Sequence, residues 1–165
     1  MRKVKFLILA TVLAMIAGAA FAAGPAYYVQ AETVRGSQNP TGPSCVLTST
    51  FKTGEQIVFL AKVYSTATGD VVTPDQAKQL GMKVTAKLED GKTIDLELGQ
   101  HPHSGEPKVW MWANAFVIPP VYPTGVFKYS LIVTDNQGNT VTWTPMNQDY
   151  PTAEGYPTLI TIEKR

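Results

Sequence analysis

Apolar residues recur at every second position along most of this chain, in short runs separated by Gly, Pro, Asn and Asp. Such alternation puts one face of an extended strand inward and leaves the other wet. Gln56 to Tyr64 places Ile57, Phe59, Ala61 and Val63 on one side. Lys83 to Leu88 and Thr93 to Leu98 both alternate, and Glu89-Asp90-Gly91-Lys92 lies between them. Asp-Gly tolerates the positive φ of a tight turn, so the two runs form a hairpin. Its apolar face is Val84, Ala86, Leu88, Ile94, Leu96 and Leu98. A slip of one residue would expose all six, which pins the register.

Further strands are expected at Tyr27 to Val34 and at Phe127 to Val133. Asp135-Asn136-Gln137-Gly138 then turns the chain into a return strand with Val141 and Trp143, and Thr158 to Ile162 is a last short strand. Arg35 to Ser44, with two Pro and two Gly, is a loop, and residues 145–157 are another. Val109 to Ile118 is apolar on both faces, which predicts a central strand or one covered on its second side. Alternation would set Val109, Met111, Ala113, Ala115 and Val117 on the inner face and Trp110, Trp112 and Asn114 on the outer one. Pro119-Pro120-Val121-Tyr122-Pro123-Thr124-Gly125 makes a stiff corner.

One stretch reads as helix. Thr73 can cap, Pro74 suits the first helical position, Asp75 favours the positive end of the dipole, and Gly81 stops the element. Seven or eight strands, with one short connecting helix, predict an all-β immunoglobulin-like β-sandwich.

The first 22 residues break the pattern. Arg2, Lys3 and Lys5 precede an apolar run from Phe6 to Ile16, and Ala20 and Ala22 stand where a signal peptidase reads small residues. Residues 1–22 are therefore expected to be a cleaved secretory signal, and residues 23–165 a single domain working in the periplasm or outside the cell. The lone Cys45 is too far downstream for a lipid anchor. No second apolar run of spanning length follows, so no membrane span is expected after cleavage.

Composition narrows the function. The leader holds three of the 14 basic residues and none of the 13 acidic ones, so the remainder is slightly acidic and has no basic stripe. That argues against nucleic acid as a partner. With one cysteine, no disulfide forms within the chain. GxSxG, HExxH, CxxC and phosphate-binding glycine loops are all absent, and the two histidines lie two residues apart, so no enzyme is expected.

The run Tyr122-Pro-Thr-Gly125, then Phe127-Lys-Tyr129-Ser-Leu131-Ile-Val133-Thr-Asp135-Asn-Gln-Gly138-Asn139, resembles the closing strands of bacterial immunoglobulin-like and fibronectin-III-like modules of exported proteins. The resemblance implies the sandwich fold and is silent on activity. A single cysteine departs from antibody-type domains and implies no inter-sheet disulfide.

Three binding chemistries stay open. Trp110 and Trp112, with Asn114, would form an aromatic sheet face for another exported protein, unless a tryptophan instead fills the core. The same aromatics would serve a carbohydrate-binding module. His101 and His103, flanking Pro102, would suit copper, with Met111 or Cys45 as soft ligands, or would be a solvated polar loop. Cys45, followed by Val46 and Leu47, is expected to be buried and inert, with pairing to another chain as the other reading. Asp135 to Asn139 lacks the spacing of a calcium loop and reads as a turn.

Overall fold

The computed structural model describes residues 25–101, 109–146 and 159–165. Ten strands and one short helix occur among them. In chain order they are β1 (Tyr27–Arg35), β2 (Thr50–Lys52), β3 (Gln56–Ser65), α1 (Pro74–Gln79), β4 (Lys83–Leu88), β5 (Thr93–His101), β6 (Val109–Val117), β7 (Gly125–Phe127), β8 (Tyr129–Thr134), β9 (Thr140–Trp143) and β10 (Ile160–Glu163).

The larger sheet runs β1-β3-β6-β5-β4-β8-β9. It folds over on itself, so that β1, β3, β6 and β5 form one layer and β4, β8 and β9 the other. Four strands against three, in this order, is the immunoglobulin constant-type arrangement. The layers meet in one core. Ile57, Phe59, Ala61 and Val63 of β3 face Val84, Ala86 and Leu88 of β4 and Leu131 and Val133 of β8, all buried. The rings of Phe59 and Tyr129 lie 5.6 Å apart. The chain is thus an all-β immunoglobulin-like sandwich.

The strand β5 belongs to both layers. Glu97 to His101 pair with β6, whereas Thr93 to Leu96 pair with β4. Where the β5–β6 ladder ends, the Asn114 side chain continues the link: its Nδ2 donates to the Asp95 carbonyl at 2.7 Å. The hairpin register is the expected one, with Val84 opposite Leu96 and Ala86 opposite Ile94, and Gly91 takes φ of 87° in the turn. The helix also matches: Thr73 and Gln76 form a reciprocal capping box, and Gly81 adopts φ of 54° just past its end.

Ten strands exceed the seven or eight expected. The surplus is β2 and β7, which join the expected last strand in a second sheet of order β2-β10-β7 that closes one end of the sandwich with Phe51, Ile160 and Ile162. β2 and β7 are three residues each, too short to show a period. Alternation runs unbroken from Phe127 to Val133, so sequence joins β7 to β8. The backbone instead hands Phe127 to β10 and Tyr129 to β4. The last strand begins at Ile160, and Thr158 and residues 147–157 of the expected loop lie outside the described residues.

Candidate functional site

The β6 strand decides what surface this molecule offers. Its neighbours fix its phase. Ala61 stands opposite Trp112, and Leu98 stands opposite it from the other side, so Trp112 points inward. Trp112 is 7% exposed and belongs to the core cluster. Leu60 opposes Ala113 and Val58 opposes Ala115, so these alanines point outward with Val117. The expected phase is therefore reversed. Both faces of β6 are apolar, so alternation alone could not choose between them, and the bulkier ring went where the core needed volume.

The proposed aromatic face comes apart accordingly. Trp112 is a core residue. Trp110, at the strand's start, is 38% exposed and lines a cleft of about 260 Å³ with Lys62, Val71, Val72, Thr73 and Val109. Asn114 is engaged with the backbone at the β5 handover. These three residues form no continuous row for stacking.

What the outer face does present is a patch of small apolar side chains. Val58, Leu60, Ala113 and Ala115 are half-buried in adjacent pairs, and Val117 is exposed at the end. Polar groups ring them: Gln30 and Glu32 on β1, Lys62 on β3, Glu97 on β5. A shallow cleft of about 290 Å³ is lined by Val58, Gly99, His101, Ala113 and Ala115 among others. An apolar centre inside a polar rim is the usual anatomy of a docking surface.

The candidate copper ligands divide. His101 opposes Val109 and Gly99 opposes Met111, so His101 and Met111 lie on the same side of the sheet on neighbouring strands, with Met111 itself buried at 7% exposure. The imidazole lies over Gly99, with Nε2 3.8 Å from where a Cβ would stand. His103 lies outside the described residues. Cys45 sits at the other end of the layer, where its amide donates to the Arg35 carbonyl at 2.7 Å. Arg35 opposes Ile57, which opposes Phe116, five residues from Met111. At roughly 3.3 Å per residue that is well beyond coordination distance. Cys45 therefore cannot join His101 and Met111. Its expected burial is also corrected: the residue is exposed, in a left-handed turn with φ of 58°. The loop it occupies runs over the surface, leaving Val46 and Leu47 exposed too. Among the described residues no cluster of three or more His, Cys, Asp or Glu could hold a metal ion.

Sequence reasoning missed Glu55. This carboxylate is fully buried (0% exposed). It accepts bonds from the Thr41 amide (2.5 Å), the Thr41 hydroxyl (2.6 Å) and the Lys52 amide (2.7 Å), and Arg35 Nε lies 3.3 Å away. Burial pushes its carboxyl up, but the Thr41 and Lys52 bonds and the Arg35 charge outweigh that and hold it below the ordinary value. Glu55 ties the loop after β1 to the turn before β3. Its signal, an acid after Thr53-Gly54 in a turn, is common on surfaces and gave no hint of burial.

No protein-family model matches this chain, and no curated protein matches it. Among solved structures, the Lin-41 filamin domain is similar over 84% of this chain and 93% of its own, at 16% identity and a TM-score of 0.33. That similarity is too loose to bear on function.

Proposed function

We propose that this chain is an exported, non-catalytic binding module that docks another exported protein through the outer face of β3 and β6. The leader pattern of residues 1–22 supports export to the periplasm or beyond. The observation carrying the reading is the half-exposed apolar patch of Val58, Leu60, Ala113, Ala115 and Val117 inside its polar rim. Docking would bury that patch against a partner of matching shape. The test introduces a charge at its centre. Ala113→Glu and Val58→Glu should abolish association with the exported partner, with little change in melting temperature. Association unchanged in both variants would overturn the reading.

A second reading is favoured by one observation, the placement of His101 and Met111 on one face across Gly99. Imidazole with thioether suits copper, Cu(I) above all. Parallel Cu(I) and Cu(II) titrations of the purified protein, of Met111→Leu and of the double variant His101→Ala/His103→Ala test it. Equal, weak binding in all three would end it.

A further inference from the structure

We propose that the turn between β4 and β5 is a modification site, where Asp90 converts spontaneously to isoaspartate through a cyclic imide, and that the Tyr122 hydroxyl restrains the conversion. The reaction needs only water and is independent of the docking surface on β3 and β6.

Asp90 is the one aspartate or asparagine of the chain that a glycine follows. Glycine carries no Cβ, so the Gly91 nitrogen is the least hindered nucleophile a main chain offers to a neighbouring carboxyl. Both residues are exposed in the turn, and Gly91 holds φ of 87°. In the first step the Gly91 nitrogen bonds to Asp90 Cγ and gives up its proton, and the Cγ–OH bond of the protonated carboxyl breaks to release water. In the second, water opens the five-membered imide. Attack at Cγ restores aspartate. Attack at the main-chain carbonyl carbon of Asp90 breaks its bond to the Gly91 nitrogen and leaves the chain running through Cγ, one carbon longer.

The folded turn opposes the first step at each reacting group. The Tyr122 hydroxyl donates to Asp90 Oδ2, and the Lys92 amide donates to Oδ1 at 3.0 Å. The Gly91 N–H donates to the Leu88 carbonyl at 2.9 Å. Imide formation removes one carboxyl oxygen and the Gly91 hydrogen, so it forfeits one of the first two bonds and the third outright. Partial burial pushes the Asp90 carboxyl up, but the Tyr122 bond, with the Lys92 amide and charge, outweighs that and holds the group below its ordinary value. The protonated form that can lose water is thereby kept scarce.

Tyr122 is the distant member of this set, 32 residues on from Asp90 in the corner 119–125. Its ring packs on Phe116 (5.5 Å) and Phe127 (5.7 Å), and its amide donates to the Pro119 carbonyl at 3.0 Å. A phenylalanine ring would fill the same space, so the hydroxyl is what reaches the carboxylate. The turn is also tied to β8 through Glu89. Its amide donates to the Lys128 carbonyl, and its carboxylate accepts from the Lys128 amide, both at 3.0 Å. An added backbone carbon at Asp90 displaces these partners, so the modification unfastens this end of the sandwich.

The test incubates the purified protein warm, below its melting temperature, and follows isoaspartate at residue 90 by peptide mapping with isoaspartyl methyltransferase labelling. Conversion should be slow in the folded wild type and fastest in the urea-unfolded chain. Tyr122→Phe should quicken it about tenfold, the factor one charge-assisted hydrogen bond is worth. Val63→Ala opens a buried position on β3 instead. It should leave the Asp90 rate at the wild-type value, which separates the local bond from general destabilisation. Asp90→Glu should show no isoaspartate at the turn. Amide hydrogen exchange at Glu89 and Lys128 should quicken as the isoaspartate fraction grows. Equal rates in wild type and Tyr122→Phe overturn the restraint, as does equal quickening by Val63→Ala. Should Tyr122→Phe fail to fold, the folded and unfolded wild-type rates decide, and equality overturns it. No isoaspartate at residue 90 even in the unfolded chain overturns the site itself.

Discussion

The Tyr27 hydroxyl donates a 2.5 Å hydrogen bond to Asp135 Oδ2, joining the start of β1 to the turn between β8 and β9 across 108 residues of sequence. Asp135 also accepts from the Asn139 side chain at 2.7 Å and from the amides of Asn139 and Gln137. One carboxylate thus organises the turn and clips the two ends of the folded-over sheet to each other.

This relationship sets pH limits. The Asn139 and Tyr27 side-chain bonds, with those amides, hold Asp135 down to about 2 despite some burial. A depressed folded-state value means stabilisation present above the unfolded value, near 3.9. It is lost as pH falls through about 2. Burial and the Asp135 bond and charge push Tyr27 up to about 12. There the sign reverses: stabilisation is complete below the ordinary value of 10.0 and disappears as pH rises towards 12. Tyr27→Phe should lower the melting temperature by a few degrees at neutral pH and flatten the fall above pH 10. Thermal melts from pH 2 to pH 12 check both; an alkaline limb identical to wild type would refute the assignment.

Glu55 supports a larger effect. Glu55→Ala leaves Arg35 and the Thr41 and Lys52 amides without their shared acceptor, and breaking such a buried arrangement costs about 3 kcal/mol or more. Glu55→Gln keeps the shape and some acceptor capacity and should cost less. In urea unfolding both midpoints should fall, in that order. Native-state hydrogen exchange should quicken at Thr41 and Cys45, since Glu55 tethers their loop. Because the folded carboxyl is held low, its contribution should fade as pH drops below the ordinary glutamate range.

The two tryptophans of β6 should separate cleanly. Trp112→Ala removes a core ring and should cost roughly 3–5 kcal/mol. Trp110→Ala, at a strand end, should cost under about 1 kcal/mol. Chemical denaturation gives both numbers, and equal costs would contradict the inward assignment of Trp112. The same difference makes Trp112→Ala unsuitable for testing a docking face, because lost binding would follow from lost structure.

How much was legible beforehand depended on whether a residue's role was local. The hairpin of β4 and β5 and the capped helix α1 could be read directly, because turn chemistry, capping and period 2 act over a few residues. The inner face of β3 was legible for the same reason. The phase of β6 was not, since a strand apolar on both sides carries no preference until its neighbours are known. Cys45 shows the same limit: apolar neighbours suggested burial, and the path of a surface loop decided otherwise.

Local pattern therefore determined an all-β chain, its hairpins, its helix and most of its inward residues, because side-chain alternation and φ preferences are properties of short segments. Tertiary structure alone decided the rest. It folded one sheet into two layers and drew Tyr27 to Asp135. It buried Glu55 against Thr41 and Arg35, and put Trp112 inside and Ala113 outside. Each of these depends on which distant strands become neighbours, and that is settled by burying the whole apolar surface at once.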